Sequence, residues 1–123
     1  MERSRVRVLI VEDEVRLAEN IATALREGPQ HSVDWADDGE TALSLAQDRP
    51  YDVVVLDLRL PRMSGIDVLV GLRVAKNRVP VLIISANYDK TSVVRALEAG
   101  ADDFLGKPFD LHELFGRIEA LGR

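Results

Sequence analysis

Three short runs of almost purely apolar, largely β-branched residues limit what this chain can fold into: residues 6–11 (Val-Arg-Val-Leu-Ile-Val), 53–56 (Val-Val-Val-Leu) and 79–84 (Val-Pro-Val-Leu-Ile-Ile). A strand with one wet face alternates polar and apolar residues. A run without that alternation suits a strand covered on both faces, as in a parallel sheet with helices above and below it. Between the runs the period becomes helical. Val15, Ala18, Ile21, Ala22 and Leu25 share one face, and Gly28-Pro29 reads as a left-handed glycine stop followed by a breaker. Further helices are expected over 38–47, over 65–74 with Ser64 as N-cap, up to Glu98 with Ala99-Gly100 as the stop, and under the stripe Leu111, Leu114, Phe115, Ile118, Leu121. Shorter strands fit near 32–36 and 103–105. The expectation is an α/β fold: a five-stranded parallel sheet, doubly wound by five helices, for which right-handed crossovers allow the order 2-1-3-4-5.

Composition narrows the chemistry. A chain of 123 residues is the size of one domain and can bury a core without staples. With no cysteine, disulfides, thiolate nucleophiles and cysteine zinc sites are excluded. No apolar run approaches the ~18 residues of a membrane span. The start, Met1-Glu2-Arg3-Ser4-Arg5, lacks the apolar stretch and cleavage site of a signal peptide, so a cytoplasmic protein is expected. Sixteen basic residues against twenty-one acidic ones, net charge −5, disfavour direct nucleic-acid binding. Arg3, Arg5 and Arg7, alternating with Val6 and Val8, read as the solvated edge of an incoming strand. His31 and His112 are expected to be exposed and without catalytic part, and Trp35 to be packing on the second strand.

In an open α/β sheet, ligands sit beyond the carboxyl ends of the strands, where the strand order reverses. Here strand one leads into Glu12-Asp13-Glu14, strand three into Asp57, strand four into Ser85, and strand five towards Lys107-Pro108. Strands one and three are neighbours in the expected order, so Glu12, Asp13 and Asp57 converge. At ~5 Å and an effective dielectric near 20, each pair of carboxylates repels by about 3 kcal/mol, which calls for a cation. Oxygen ligands with room for water and phosphate suit Mg²⁺. Beside such an ion Asp57 could attack phosphorus and form an acyl phosphate, with Ser85 and Lys107 binding phosphoryl oxygens. Taken singly, an acid after a strand is more often a helix cap. Asp57 fits that role poorly, because Leu58-Arg59-Leu60-Pro61 does not begin a helix.

The segments Val8-Leu9-Ile10-Val11-Glu12-Asp13-Glu14, Val55-Leu56-Asp57-Leu58-Arg59-Leu60-Pro61, Ser64-Gly65, Ile84-Ser85-Ala86 and Gly100-Ala101-Asp102-Asp103-Phe104-Leu105-Gly106-Lys107-Pro108-Phe109 occur in this order. Together they resemble the receiver domain of two-component response regulators, over about residues 6 to 121. The resemblance implies a flavodoxin-like arrangement of the sheet. It implies that Asp57 is the phosphoacceptor and that Glu12, Asp13, Asp57 and the backbone carbonyl of Arg59 hold Mg²⁺. Ser85 would be the switch hydroxyl, Phe104 the switch aromatic and Lys107 the phosphate-binding lysine, with a cis Lys107-Pro108 bond. Small Ala86 would leave the phosphoryl group accessible, and Arg59 and Asn87 stand where the family tunes dephosphorylation.

By the same resemblance the donor is a sensor histidine kinase, met through helix one near Arg16, Glu19 and Asn20 and through the loop after strand five. The protein is then no enzyme but a phosphoacceptor that assists its own phosphotransfer and dephosphorylation. The face made by helix four, strand five and helix five would carry the signal to an output such as transcription. Asp102, Asp103, Glu113 and Arg117 resemble the dimer face of the subfamily that carries a winged-helix DNA-binding domain, which implies a homodimer on phosphorylation. Val93 departs from that pattern, standing where a basic residue is usual. Residues 1–123 are read as one receiver domain, with any effector domain, and hence any DNA contact, outside this chain and no membrane partner. Three rival readings compete with this one. A haloacid dehalogenase-type phosphohydrolase wants a second carboxylate where Arg59 stands. A flavodoxin-like cofactor carrier wants a glycine- and hydroxyl-rich loop where Glu12-Asp13-Glu14 stands. A pseudo-receiver, acting as a phosphorylation-independent interaction module, would have the fold with an inert site.

Overall fold

The structure, a computed structural model, describes residues 5–123, so Arg3 lies outside the described residues. Five strands alternate with five helices: β1 Arg7–Val11, α1 Val15–Glu27, β2 Ser32–Ala36, α2 Gly39–Asp48, β3 Val53–Asp57, α3 Gly65–Val74, β4 Val81–Ser85, α4 Lys90–Glu98, β5 Asp103–Gly106 and α5 Leu111–Leu121. The strands form one parallel sheet in the order β2-β1-β3-β4-β5, as the apolar runs predict. All five residues of β3 and of β4 are buried.

Successive side chains of a strand point to opposite faces, so each apolar run feeds two cores. Val8, Ile10, Val53, Val55, Leu82 and Ile84 meet Ile21 and Leu25 of α1 and Leu114 and Ile118 of α5. Leu9, Val11, Val54, Leu56, Val81 and Ile83 meet Ala42 of α2, Leu69 and Leu72 of α3 and Ala96 of α4. Burying each such Leu or Ile fully contributes about 1.5–3 kcal/mol. Asp38, Ser64 and Asp89 start α2, α3 and α4 by accepting the N–H groups of Thr41, Asp67 and Ser92. Gly100 leaves α4 with φ +113°, the left-handed step that glycine makes without strain. Among the described residues no helix is long and apolar enough to cross a membrane.

Three local expectations are corrected. Gly28 does not end α1 in the left-handed region; its φ is −77° and its N–H closes onto the Ala24 carbonyl. The proline behind it crowds its backbone, and the left-handed step falls at Gln30, φ 61°. His31 is buried rather than exposed. Its Nδ1 accepts the Val6 N–H at 3.0 Å while Nε2 faces Glu119 Oε2 at 3.1 Å. The ring gives a partner to an amide just ahead of β1, and since Nδ1 accepts, Nε2 carries the proton towards Glu119. Trp35 is more than a third exposed, and its indole does more than pack, as described below. Arg7 behaves as a solvated edge residue should, exposed and paired with Asp52 at 3.2 Å.

Gly65 fixes the loop behind the acidic site. Its N–H donates to the Leu58 carbonyl at 2.9 Å, and a Cβ there would lie 2.3 Å from the Asp57 carbonyl oxygen. That neighbour is backbone and cannot swing aside. Gly65→Ala is expected to lower unfolding free energy by about 3 kcal/mol, read as a reduced denaturant midpoint. Gly116→Ala, where a Cβ meets nothing within 4 Å, is the control and is expected to be neutral or stabilising by up to about 1 kcal/mol.

Candidate functional site at the carboxyl edge of the sheet

Strand register assembles this edge. Val11 pairs with Leu56, so the next residues, Glu12 and Asp57, leave β1 and β3 side by side. Asp57 pairs with Ile84 and Ser85 with Gly106, which sets Ser85 and then Lys107 on the far side of Asp57. Glu12, Asp57 and Ser85 are buried, while Asp13 is exposed. One carboxylate oxygen from each of Glu12, Asp13 and Asp57 lies within 4.8 Å of the others.

A lysine sits among these acids. Lys107 Nζ donates to Glu12 Oε1 at 2.7 Å and to Asp57 Oδ2 at 2.8 Å. The remaining oxygens are also engaged: Asp57 Oδ1 accepts the Arg59 N–H at 2.9 Å, and Glu12 Oε2 accepts the Glu14 N–H at 3.0 Å. Burial pushes the Glu12 carboxyl up to about 7; Lys107 and the Glu14 N–H pull it down, and the Asp57 charge adds to the rise. For Lys107, burial works against the ammonium, but the two carboxylates outweigh it and hold its pKa above the ordinary lysine value.

The donor set fits Mg²⁺. It is made of carboxylate oxygens only, two of them buried and fixed, and the third, on Asp13, reaches solvent where water can complete a coordination shell. Arg59, expected to face the ion with its carbonyl, is tied to the site through its N–H. The Ser85 hydroxyl oxygen accepts the Asn87 N–H at 3.1 Å, and Phe104 is half-buried against the core that holds Leu9, Leu56 and Ile83. Beside the site, Glu14, Leu17, Ala86, Lys107, Pro108 and Phe109 line a mostly apolar groove of about 360 Å³. The Lys107-Pro108 bond on its rim is cis.

The remaining sequence candidates divide. Arg117 pairs within the chain with Asp103 at 2.7 Å and with Glu113 at 3.0 Å, one network joining β5 to α5. Asp102 does not join it. Its carboxylate accepts the Val81 N–H at 2.8 Å and pairs with Arg73 at 3.1 Å. Two further contacts escape sequence reasoning. Trp35 Nε1 donates to the Glu12 carbonyl at 2.8 Å. Arg62 of the β3–α3 loop, at φ 68°, pairs with Asp38 at the start of α2 at 3.1 Å. Side-chain bonds between segments far apart in the chain leave no periodic signal. Gly106 was a visible clue to a third: a Cβ there would lie 2.6 Å from the Tyr88 ring, which therefore rests on the backbone next to Lys107.

The chain matches the family model of the response regulator receiver domain over residues 8–119. It is 43% identical over 120 residues to the transcriptional regulatory protein TcrA of Mycobacterium tuberculosis, covering 98% of this chain and 47% of that protein. The chain spans about half the length of the curated relatives it matches. Among solved structures, the receiver domain of the Francisella response regulator 1452 superposes with a TM-score of 0.92 at 35% identity, over 96% of this chain and 97% of that one. The receiver domain of the sensor histidine kinase PA1611 of Pseudomonas aeruginosa, described with a magnesium ion coordinated in the active site cleft, gives 0.84 at 28% identity, over 97% and 98%.

Removing Lys107 leaves two buried carboxylates facing each other. In Mg²⁺-free buffer Lys107→Ala is expected to lose about 3 kcal/mol of stability. Millimolar Mg²⁺ is expected to restore more stability to this variant than it adds to the native chain, as measured by paired denaturant titrations.

Proposed function

The chain belongs to the response regulator receiver domain family, and from that premise we propose that it is a signalling switch that accepts a phosphoryl group from a sensor histidine kinase onto Asp57. One observation carries the reading: a buried Asp57 whose two oxygens are held apart, Oδ1 by the Arg59 N–H and Oδ2 by Lys107, beside the carboxylates of Glu12 and Asp13. These bonds fix the orientation of the nucleophile. An Asp57 oxygen forms the new bond to phosphorus as the P–N bond of a phosphohistidine breaks; the electron pair returns to the imidazole, which takes a proton from solvent. Glu12, Asp13 and Asp57 would hold Mg²⁺, which screens the charge of the nucleophile from that of the phosphoryl group. Lys107, already on Asp57, stays within reach of the oxygens that the phosphoryl group brings.

Phosphorylation then biases a two-state element. The Ser85 hydroxyl leaves the Asn87 N–H for a phosphoryl oxygen, and the Phe104 ring follows into the space released. The α4–β5–α5 face changes with it, and the chain acts as a phosphoacceptor rather than an enzyme. The kinase docks on α1 near Arg16, Glu19 and Asn20 and over the apolar groove at Leu17, Pro108 and Phe109. Relatives of about twice the length are named as transcriptional regulators, which supports control of transcription through a winged-helix domain outside this segment, in the cytoplasm. The presence of every residue that the chemistry needs favours this over a phosphorylation-independent module. On the output face, Val94 and Leu97 of α4 and Leu111 of α5 are exposed, and Asp103 of β5 pairs with Arg117 of α5; this face is read as a homodimer contact of the phosphorylated form.

Two measurements check the reading. Incubated with acetyl phosphate and Mg²⁺, the native chain is expected to gain one phosphoryl group (~80 Da) in intact mass. Asp57→Asn, and the native chain without Mg²⁺, are expected to gain none; an unmodified native chain under all conditions points to the inert module. Sedimentation of the phosphorylated protein is expected to reveal a weak dimer, and a monomeric mass over a wide concentration range removes the dimer from the proposal.

A further inference from the structure

The sole tryptophan of the chain is spent at an unusual place. β1 and β2 pair in parallel with Val11 opposite Ala36, and the ladder runs one bond further, the Glu12 N–H donating to the Ala36 carbonyl at 3.1 Å. The next rung would bring an N–H of β2, that of Asp38, to the Glu12 carbonyl. That rung is missing, because β2 ends at Ala36 and Asp38 caps α2 instead. The Trp35 indole takes its place, Nε1 donating to the Glu12 carbonyl at 2.8 Å. Both backbone polar groups of Glu12 are thus held by the last two residues of β2, and the second bond fixes the plane of the peptide that leads into Asp13.

We propose that Trp35 is a positioning residue for the acidic site: its indole N–H, by holding the Glu12 carbonyl, sets the direction in which Asp13 leaves β1 and so the Mg²⁺ affinity of the cluster. The inference rests on the reading that Glu12, Asp13 and Asp57 hold this ion. A purely packing role is a poor account of the residue, since Trp35 is 37% exposed and the indole N–H is directed at a backbone acceptor. Asp13 is the ligand most in need of such support, being exposed. Partners behind a metal ligand commonly change affinity by about 10- to 100-fold when removed; acting through one peptide, Trp35 is expected to contribute about three- to tenfold.

Because the chain has one tryptophan, growth on benzothienylalanine, which has sulfur in place of the indole N–H, alters that position alone; Trp35→Phe is the second variant. Mg²⁺ affinity is measured by calorimetry and thermal stability in Mg²⁺-free buffer. The expected result is a three- to tenfold weaker Kd in both variants with a fall in melting temperature of no more than the few degrees that one lost hydrogen bond gives, and phosphorylation by acetyl phosphate that recovers at saturating Mg²⁺. An unchanged Kd overturns the positioning role and leaves the receiver reading intact. A weaker Kd accompanied by a large fall in melting temperature also overturns it, as the tryptophan would then be structural. A native chain that binds no Mg²⁺ overturns both; one that binds Mg²⁺ with the expected difference but takes no phosphoryl group sustains the tryptophan's role and overturns the phosphoacceptor alone.

Discussion

The contact of Lys107 with Glu12 and Asp57 is the interaction on which the functional edge of this molecule depends. It joins residues 95 and 50 positions apart, and it places one positive charge where the fold has gathered three negative ones. Two of the acids are buried, so their repulsion is not relieved by water. In the form described, the lysine occupies that role, and the rise of Glu12 towards neutral pH shows that burial is only partly offset.

The rest of the sheet exists to hold this contact in register. Parallel pairing advances the chain by one strand at a time, and the carboxyl ends of β1, β3, β4 and β5 deliver Glu12, Asp57, Ser85 and Lys107 to one edge. A register slip of one residue would turn every core side chain to the opposite face, and both cores forbid that. At that edge the Ser85 hydroxyl accepts one amide of the β4–α4 loop, and Phe104 is half-buried on β5.

The side formed by α4, β5 and α5 is wired within one chain. Arg117 binds Asp103 and Glu113, whereas Asp102 serves Arg73 and the Val81 amide at the opposite end of β4. Two adjacent acids thus have different work: one ties β5 to α5, and the other ties the α4–β5 connection to α3. Their adjacency in sequence concealed that division, because neighbouring residues around a strand start point in different directions.

Sequence alone determined the architecture, because unbroken apolar runs and helical stripes admit few arrangements, and right-handed crossovers allow the strand order that is found. It also made the convergence of Glu12, Asp13 and Asp57 legible, since strand order puts the ends of neighbouring strands together. Tertiary structure decided what no period encodes. Which residue takes the left-handed step after α1 depended on the crowding by Pro29. Whether His31 is wet or buried depended on an amide outside the ladder, and where the Trp35 indole points depended on the place at which β2 leaves β1. Periodicity reports the face on which a residue lies; the partner of a polar atom is set by which backbone groups the assembled fold leaves unpaired.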